Sequence, residues 1–315
     1  MAALLFQSCH DESHPFIEDE VAISMTASSA DMSTSRALVT NNTTLQETTL
    51  GVYGYKLFNG TKTLLFDNER VYYNSDWKYD NTRYWDKAAT EYRFVAYSPH
   101  STNSVSYSDH TLTISNIPYW QVIDDDVVDY IVATSNGSAN DYLSTDSKSV
   151  VFNFSHILSQ FVINITKDAT LSGTEYKLKQ VDYLNVPLGD NATATYTLPQ
   201  EGSATLSTIT LLEENATLTR FTDANVQTVV STDNIPFPYL VVPFTLSDGK
   251  NVKVKVTYTV AGTERNKTVD TGIDQLAAGK RYELTLTFKG ADIVPSLEIK
   301  NWEDVTVDED PKYNW

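Results

Sequence analysis

Alternation of apolar and polar residues at a period of two, broken every few residues by turn chemistry, recurs along most of the chain and constrains its fold more than any other feature. Residues 21–27 show it most plainly: Val21, Ile23, Met25 and Ala27 fall on one side, Ala22, Ser24 and Thr26 on the other. Successive side chains of an extended strand point to opposite faces, so this segment reads as a strand with one buried side. Residues 50–58 and 63–66 are two further runs, separated at Asn59-Gly60, a pair suited to a tight hairpin turn. Strand-like runs continue at 92–97, 111–114, 129–133, 150–154 and 160–165, then at 176–185, 193–198, 204–211, 239–245, 252–260, 264–271 and 281–289. Turn pairs such as Asp190-Asn191, Glu201-Gly202 and Asp248-Gly249 punctuate the second half. The 19 Tyr and 12 Phe suit pleated, half-buried surfaces better than helices. Many short strands so punctuated predict an all-β protein built from β-sandwiches, not a parallel sheet wrapped in helices. A turn or two of helix is expected only near 274–278, ended by Gly279.

At 315 residues the chain suits two domains of about 150 residues each. The boundary is expected where the run through His156 passes from one strand set to the next. That gives an N-terminal domain over 20–157 and a C-terminal domain over 158–302. The N-terminal domain opens with a strand at 20–28 and a polar loop at 29–42. A tether at 1–19 precedes the domains, and a tail at 303–315 follows them. The formal charge of −18 argues against nucleic acid and anionic lipid surfaces as partners. The sequence has no stretch of about 20 apolar residues, so no spanning helix is expected.

The lone cysteine, Cys9, excludes intrachain disulfides and a cysteine-based metal site. It follows a short apolar run and a small residue, Ser8, and precedes a polar, acidic segment with Glu18, Asp19 and Glu20. That order is the one at which a bacterial lipoprotein is cleaved and acylated, so Cys9 reads as a lipidation site and the following residues as a tether. The apolar run is shorter than a signal core of roughly 7–15 residues and lacks a preceding Lys or Arg, so the true start is expected upstream or the chain is a trimmed one.

No recognised catalytic or phosphate-binding motif is present: there is no G-x-S-x-G, G-x-x-x-x-G-K, H-E-x-x-H or G-x-G-x-x-G. His10 and His14 lie in the tether, Asp124 to Asp126 lack the alternating spacing of a calcium loop, and His156 reads as a structural histidine between strands. No enzyme activity, cofactor or metal is therefore expected. Trp77, Tyr79, Tyr84 and Trp85 suit core packing and, as an alternative, a stacking platform for sugar rings.

Several fragments together resemble the fimbrillins, the subunits of the type V pili of Bacteroidetes. They are Cys9 with its acidic segment; Ser35-Arg-Ala37 after the first strand; Gly51-Val-Tyr-Gly-Tyr55; Trp85 followed by residues 92–99; residues 129–133; residues 154–160 around His156; residues 278–284; and residues 299–302, ending in Trp302. The resemblance implies two tandem transthyretin-like β-sandwich domains and a lipoprotein precursor on the outer membrane, later part of a surface fimbrium. It implies cleavage by an arginine-specific protease between Arg36 and Ala37. The displaced first strand, with Val21, Ile23 and Met25, would then leave, and the tail of a neighbouring subunit would replace it. In this sequence the tail offers Val305 and Val307 at the same period of two. Partners would be other pilus subunits, with a host or glycan ligand where the subunit is adhesive. A glycan-binding surface lipoprotein is the competing reading; solvent-facing, coplanar tryptophans would favour it, and buried ones the pilus subunit.

Overall fold

Alternation becomes strand along nearly all of the chain. A computed structural model describes residues 21–29, 42–108, 111–123, 127–145, 148–188, 192–197, 205–209, 216–221, 227–229, 235–247 and 249–302. The elements in order are β1 (Ser24–Ser29), α1 (Asn42–Gln46), β2 (Thr49–Phe58), β3 (Thr61–Asn74), β4 (Asp76–Lys78), β5 (Glu91–Ser98), β6 (Val105–Ser108), β7 (Thr111–Ile117), β8 (Trp120–Val122), β9 (Ile131–Gly137), α2 (Ala139–Leu143), β10 (Ser149–His156), β11 (Ser159–Lys167) and β12 (Tyr176–Val186). They continue as β13 (Ala192–Thr197), β14 (Thr205–Ile209), β15 (Ala216–Phe221), β16 (Gln227–Val229), β17 (Ile235–Val241), β18 (Phe244–Thr245), β19 (Lys253–Val260), β20 (Thr263–Asp270), β21 (Gln275–Leu276), β22 (Lys280–Lys289) and β23 (Asp292–Asn301). The all-β class expected from the alternation is what the chain adopts.

Seven strands form the first sheet, in the order β1-β10-β9-β5-β2-β3-β4. Its central strands are covered on both faces, which is why β5 reads as a nearly continuous apolar run. Phe94 and Ala96 of β5 join Ile23, Met25, Phe66 and Phe152 in one core. Val95 and Tyr97, on the opposite face, join a second and larger core with Trp120, Phe161, Tyr183 and Tyr239. Gly51 and Gly54 in β2 allow these rings to lie against the backbone. A Cβ on Gly51 would sit 2.3 Å from the ring of Tyr97, and one on Gly54 2.5 Å from that of Phe94.

The second core lies among four smaller sheets, ordered β23-β22-β11-β17-β8, β15-β12-β19-β20, β14-β13-β7-β6 and β18-β21. β11 runs antiparallel to β17 and parallel to β22. Strict alternation in β22 puts Tyr282, Leu284, Leu286 and Phe288 inside. Strands from the first half also contribute here: Ile114 of β7 pairs with Ala194 of β13, and Trp120 of β8 with Val241 of β17.

The helix expected near 274–278 does not form. Gln275–Leu276 is β21 instead, with Leu276 paired to Phe244 and buried. Gly279, at φ +66, turns the chain into β22 rather than capping a helix. Tertiary pairing outweighs the weak local preference of so short a segment. β3 extends well past residue 66, because Asp67 to Arg70 interrupt its alternation without ending its pairing. β23 was not expected, since Pro295 breaks its pattern and only Ile293 is buried.

Candidate functional site

β1 stands at the edge of its sheet yet is bonded on both sides, by different halves. Residues 24–29 run parallel to β10, from Ser24 opposite Ser149 to Ser29 opposite Phe154. The residues just before turn to another partner. Ala22 bridges Tyr84 in antiparallel fashion, the Ile23 N–H donates to Arg83 O at 2.8 Å, and the Trp85 N–H donates to Val21 O at 3.0 Å. This strand therefore closes a seam between β10 and the segment that follows β4.

Its side chains explain the period of two. Ile23 and Met25 are 1% and 4% exposed, and Val21 and Ala27 pack half-buried on the same core. Ala22, Ser24 and Thr26 face solvent. β10 alternates in the complementary sense, with Val150, Phe152 and Phe154 buried.

Polar fastenings surround this apolar face. Tyr79 Oη donates to Ile23 O at 2.6 Å and accepts from the Arg83 N–H at 3.3 Å. Burial raises the Tyr79 phenol above its ordinary pKa, so the hydroxyl keeps its proton and remains a donor. Trp85 Nε1 donates to Lys148 O at 3.3 Å, and Ser28 Oγ donates to Asn153 Oδ1 at 2.8 Å. The Ser29 N–H donates to Asn42 Oδ1 at 2.9 Å, which ties together the two ends of segment 30–41. That segment holds Arg36 and Ala37, which lie outside the described residues, as do Cys9, Val305 and Val307.

Taking β1 away would strip ladder partners from β10 and from 83–85 and uncover apolar side chains, both of which cost free energy unless another strand takes its place. The site can thus hold an extended segment whose alternate residues are apolar.

The four aromatics do not form a platform. Trp85 is buried, with its ring stacked on Tyr142 at 4.7 Å, and Tyr79 lies edge-on to Phe66 at 5.2 Å. Trp77 is half-buried and edge-on to Tyr73, while Tyr84 alone of the four is exposed. His156 is buried too, with Nδ1 3.1 Å from Asp129 Oδ1 and its ring stacked on Trp302. Among the described residues no three His, Cys, Asp or Glu side chains cluster as metal ligands, and no helix is long and apolar enough to cross a membrane.

The roles of Tyr79, of 83–85 as a second rail, and of Asn42 carried no sequence signal, because they depend on which strand each segment meets. Sequence fragments far apart also converge. The Ile157 N–H donates to Tyr130 O at 3.1 Å, the Gly279 N–H to Leu158 O at 2.9 Å, and the Trp302 N–H to Gly279 O at 2.9 Å.

A family model described as fimbrillin-like matches residues 34–302. The chain belongs to the fimbrillin-like family. Solved structures share the fold. A candidate cell adhesion protein of Bacteroides uniformis superposes with a TM-score of 0.54 at 20% identity, over 92% of this chain and 100% of the other. A fimbrial protein of Bacteroides vulgatus gives a TM-score of 0.52 at 18% identity, over 89% and 99%. A candidate cell adhesion protein of Bacteroides ovatus gives 0.50 at 14%, over 92% and 100%. No functionally curated protein matches the chain. In this fimbrillin-like chain the matched region begins within segment 30–41, after β1, and ends on Trp302.

Proposed function

We propose that the protein is a structural subunit of a surface pilus that polymerises by strand exchange, with β1 as the strand that is exchanged. It is delivered to the outer membrane as a lipoprotein through Cys9. Cleavage by an arginine-specific protease between Arg36 and Ala37 then releases lipid, tether and β1 together. The tail of a neighbouring subunit enters the opened seam, with Val305 and Val307 taking places vacated by inward residues such as Ile23 and Met25. The role is structural and needs neither catalysis nor cofactor. Assembly supports adhesion, with a host or glycan ligand where the subunit is exposed at a tip.

The observation that carries this reading is the bonding of β1. It closes a seam between two edges, presents an unbroken inward row, and connects onward only through segment 30–41. A replacement strand recovers the same ladder and pockets, which is β-augmentation, and the period of two leaves no freedom for a slip of one residue. Membership of the fimbrillin-like family and the fold shared with a Bacteroides vulgatus fimbrial protein support the same reading. The burial of Trp85, Trp120 and Trp302 weighs against a sugar-stacking surface.

Limited trypsin treatment tests it. The first cut is expected after Arg36, leaving a folded remainder that polymerises. The Arg36→Ala chain is expected to stay monomeric, and deletion of 303–315 to abolish polymers with monomer stability unchanged. Normal polymers from Arg36→Ala would show that cleavage there is not the trigger.

A further inference from the structure

We propose that His156 and Trp302, backed by Asp129, form a tension lock that stops a pull on the C-terminal end of the chain from unzipping β23. β23 is the edge strand of its sheet and is paired along its whole length with β22, from Asp292 opposite Lys289 to Asn301 opposite Lys280. The connecting turn at Gly290 lies at the far end from Asn301. A pull on the chain beyond Trp302, directed across the strand, therefore loads the Lys280–Asn301 rung first and the others in succession. Rungs loaded one at a time give way at far lower force than rungs loaded together. The side chains of β23 add little resistance, since Val294, Leu297 and Ile299 are 40%, 36% and 55% exposed.

Trp302 interrupts that sequence. It is 2% exposed, and its ring lies parallel to that of His156, with centroids 3.9 Å apart and planes 5° from each other. Its N–H is held by Gly279 O at 2.9 Å. His156 is the last residue of β10 and is itself fixed: its main chain pairs with Ile131, and its Nδ1 sits 3.1 Å from Asp129 Oδ1, with both side chains buried. Among the described residues His156 Nε2 has no hydrogen-bond partner, so it is the Asp129 contact that holds the ring from the side of Nδ1. A pull arriving at Trp302 passes to β10 and is shared by its rungs with β9 and with whichever strand occupies the β1 position. The strand in the β1 position is thus fastened to β10 along its length, and Trp302 at its end.

The use of the lock rests on the assembly reading above, in which the tail is what a neighbour pulls; its test needs only monomers. The full-length chain, with Cys9→Ser and an attachment thiol at Thr61→Cys, is stretched between that thiol and a C-terminal tag. The native pair is expected to show no extension before the body unfolds. Trp302→Leu is expected to add an early, reversible step of roughly 35 Å, the length of some ten extended residues, at less than half the force of the first wild-type event. His156→Ala, which leaves Trp302 in place, is expected to give the same step, and Trp302→Phe to keep the lock. A cross-link between Thr285→Cys and Ser296→Cys, which face each other across β22 and β23, should shorten the early step in the Trp302→Leu chain to roughly half, since only the residues beyond Ser296 can then peel. The inference is overturned if the native pair already shows that step, if neither variant shows it, or if it keeps its full length through the cross-link. Polymers formed by chains that lack the lock would leave the assembly reading standing, and a locked monomer that never polymerises would leave only the lock.

Discussion

Replacing Ile23 and Met25 with alanine is expected to cost the intact chain about 2–5 kcal/mol at each site, the usual range for truncating a fully buried aliphatic side chain. Both residues belong to the core that also holds Phe66, Trp85, Phe94 and Phe152, and none of that core can collapse far around the loss, because β1 is fixed by rungs on both sides. The two positions share one face of one strand, so their effects are coupled and need not add. Against a total stability of typically 5–15 kcal/mol, a loss of this size lowers the denaturant midpoint sharply. The same double substitution is expected to leave unchanged the stability of chains cut after Arg36 and freed of β1, since the altered residues depart with the strand. Urea unfolding of cut and uncut protein measures both. Equal losses in the two forms would mean that the strand is not released, and a loss below about 1 kcal/mol in the intact form would mean that it does not close the core.

Gly51→Val is expected to be more damaging still. A Cβ at this position falls 2.3 Å from Tyr97 Cε1 and Cζ and 2.5 Å from its hydroxyl. Ordinarily a ring tip could swing aside, but this one cannot. Tyr97 is fully buried, its hydroxyl is 2.5 Å from Asn68 Oδ1 and 2.8 Å from Ser101 O, and it accepts from the Ser101 N–H at 3.2 Å. Any shift breaks these bonds, or pushes β2 away from β5, which pair at Gly51 and Tyr97 themselves. The expected penalty exceeds the roughly 1–3 kcal/mol of ordinary overpacking, enough to lower the melting temperature steeply. Tyr97→Leu removes the ring that the new side chain meets, so Gly51→Val in that background is expected to cost much less than it does alone. Additive losses in thermal unfolding of the two single variants and the double would show that the clash lies elsewhere.

The alternation Val21, Ile23, Met25, Ala27 was legible as a strand and as an inward row, and the structure keeps both. The reason is local: a period of two separates the faces of an extended chain whatever it pairs with. Partners were not legible. Nothing in residues 21–29 says that one half pairs with β10 in parallel while the residues before it bridge Tyr84, because pairing is decided by what the rest of the chain brings alongside. β23 stayed hidden for the converse reason: its strand form comes from its rungs with β22, while its own sequence, interrupted by Pro295, lacks a buried row. The helix expected before Gly279 failed in the same way, overruled by pairing between β18 and β21.

By itself the sequence determined the class of fold, the inward apolar row of the first strand, and the family to which the scattered fragments point. These rest on periodicity, composition and order, properties that a chain carries before it folds. Only the tertiary structure decided that β1 closes a seam between two edges, that Tyr79 and Asn42 fasten it, and that Trp302 comes to rest on His156. Each of these joins residues distant in the chain, and such contacts depend on where whole strands lie and not on the preferences of any one segment.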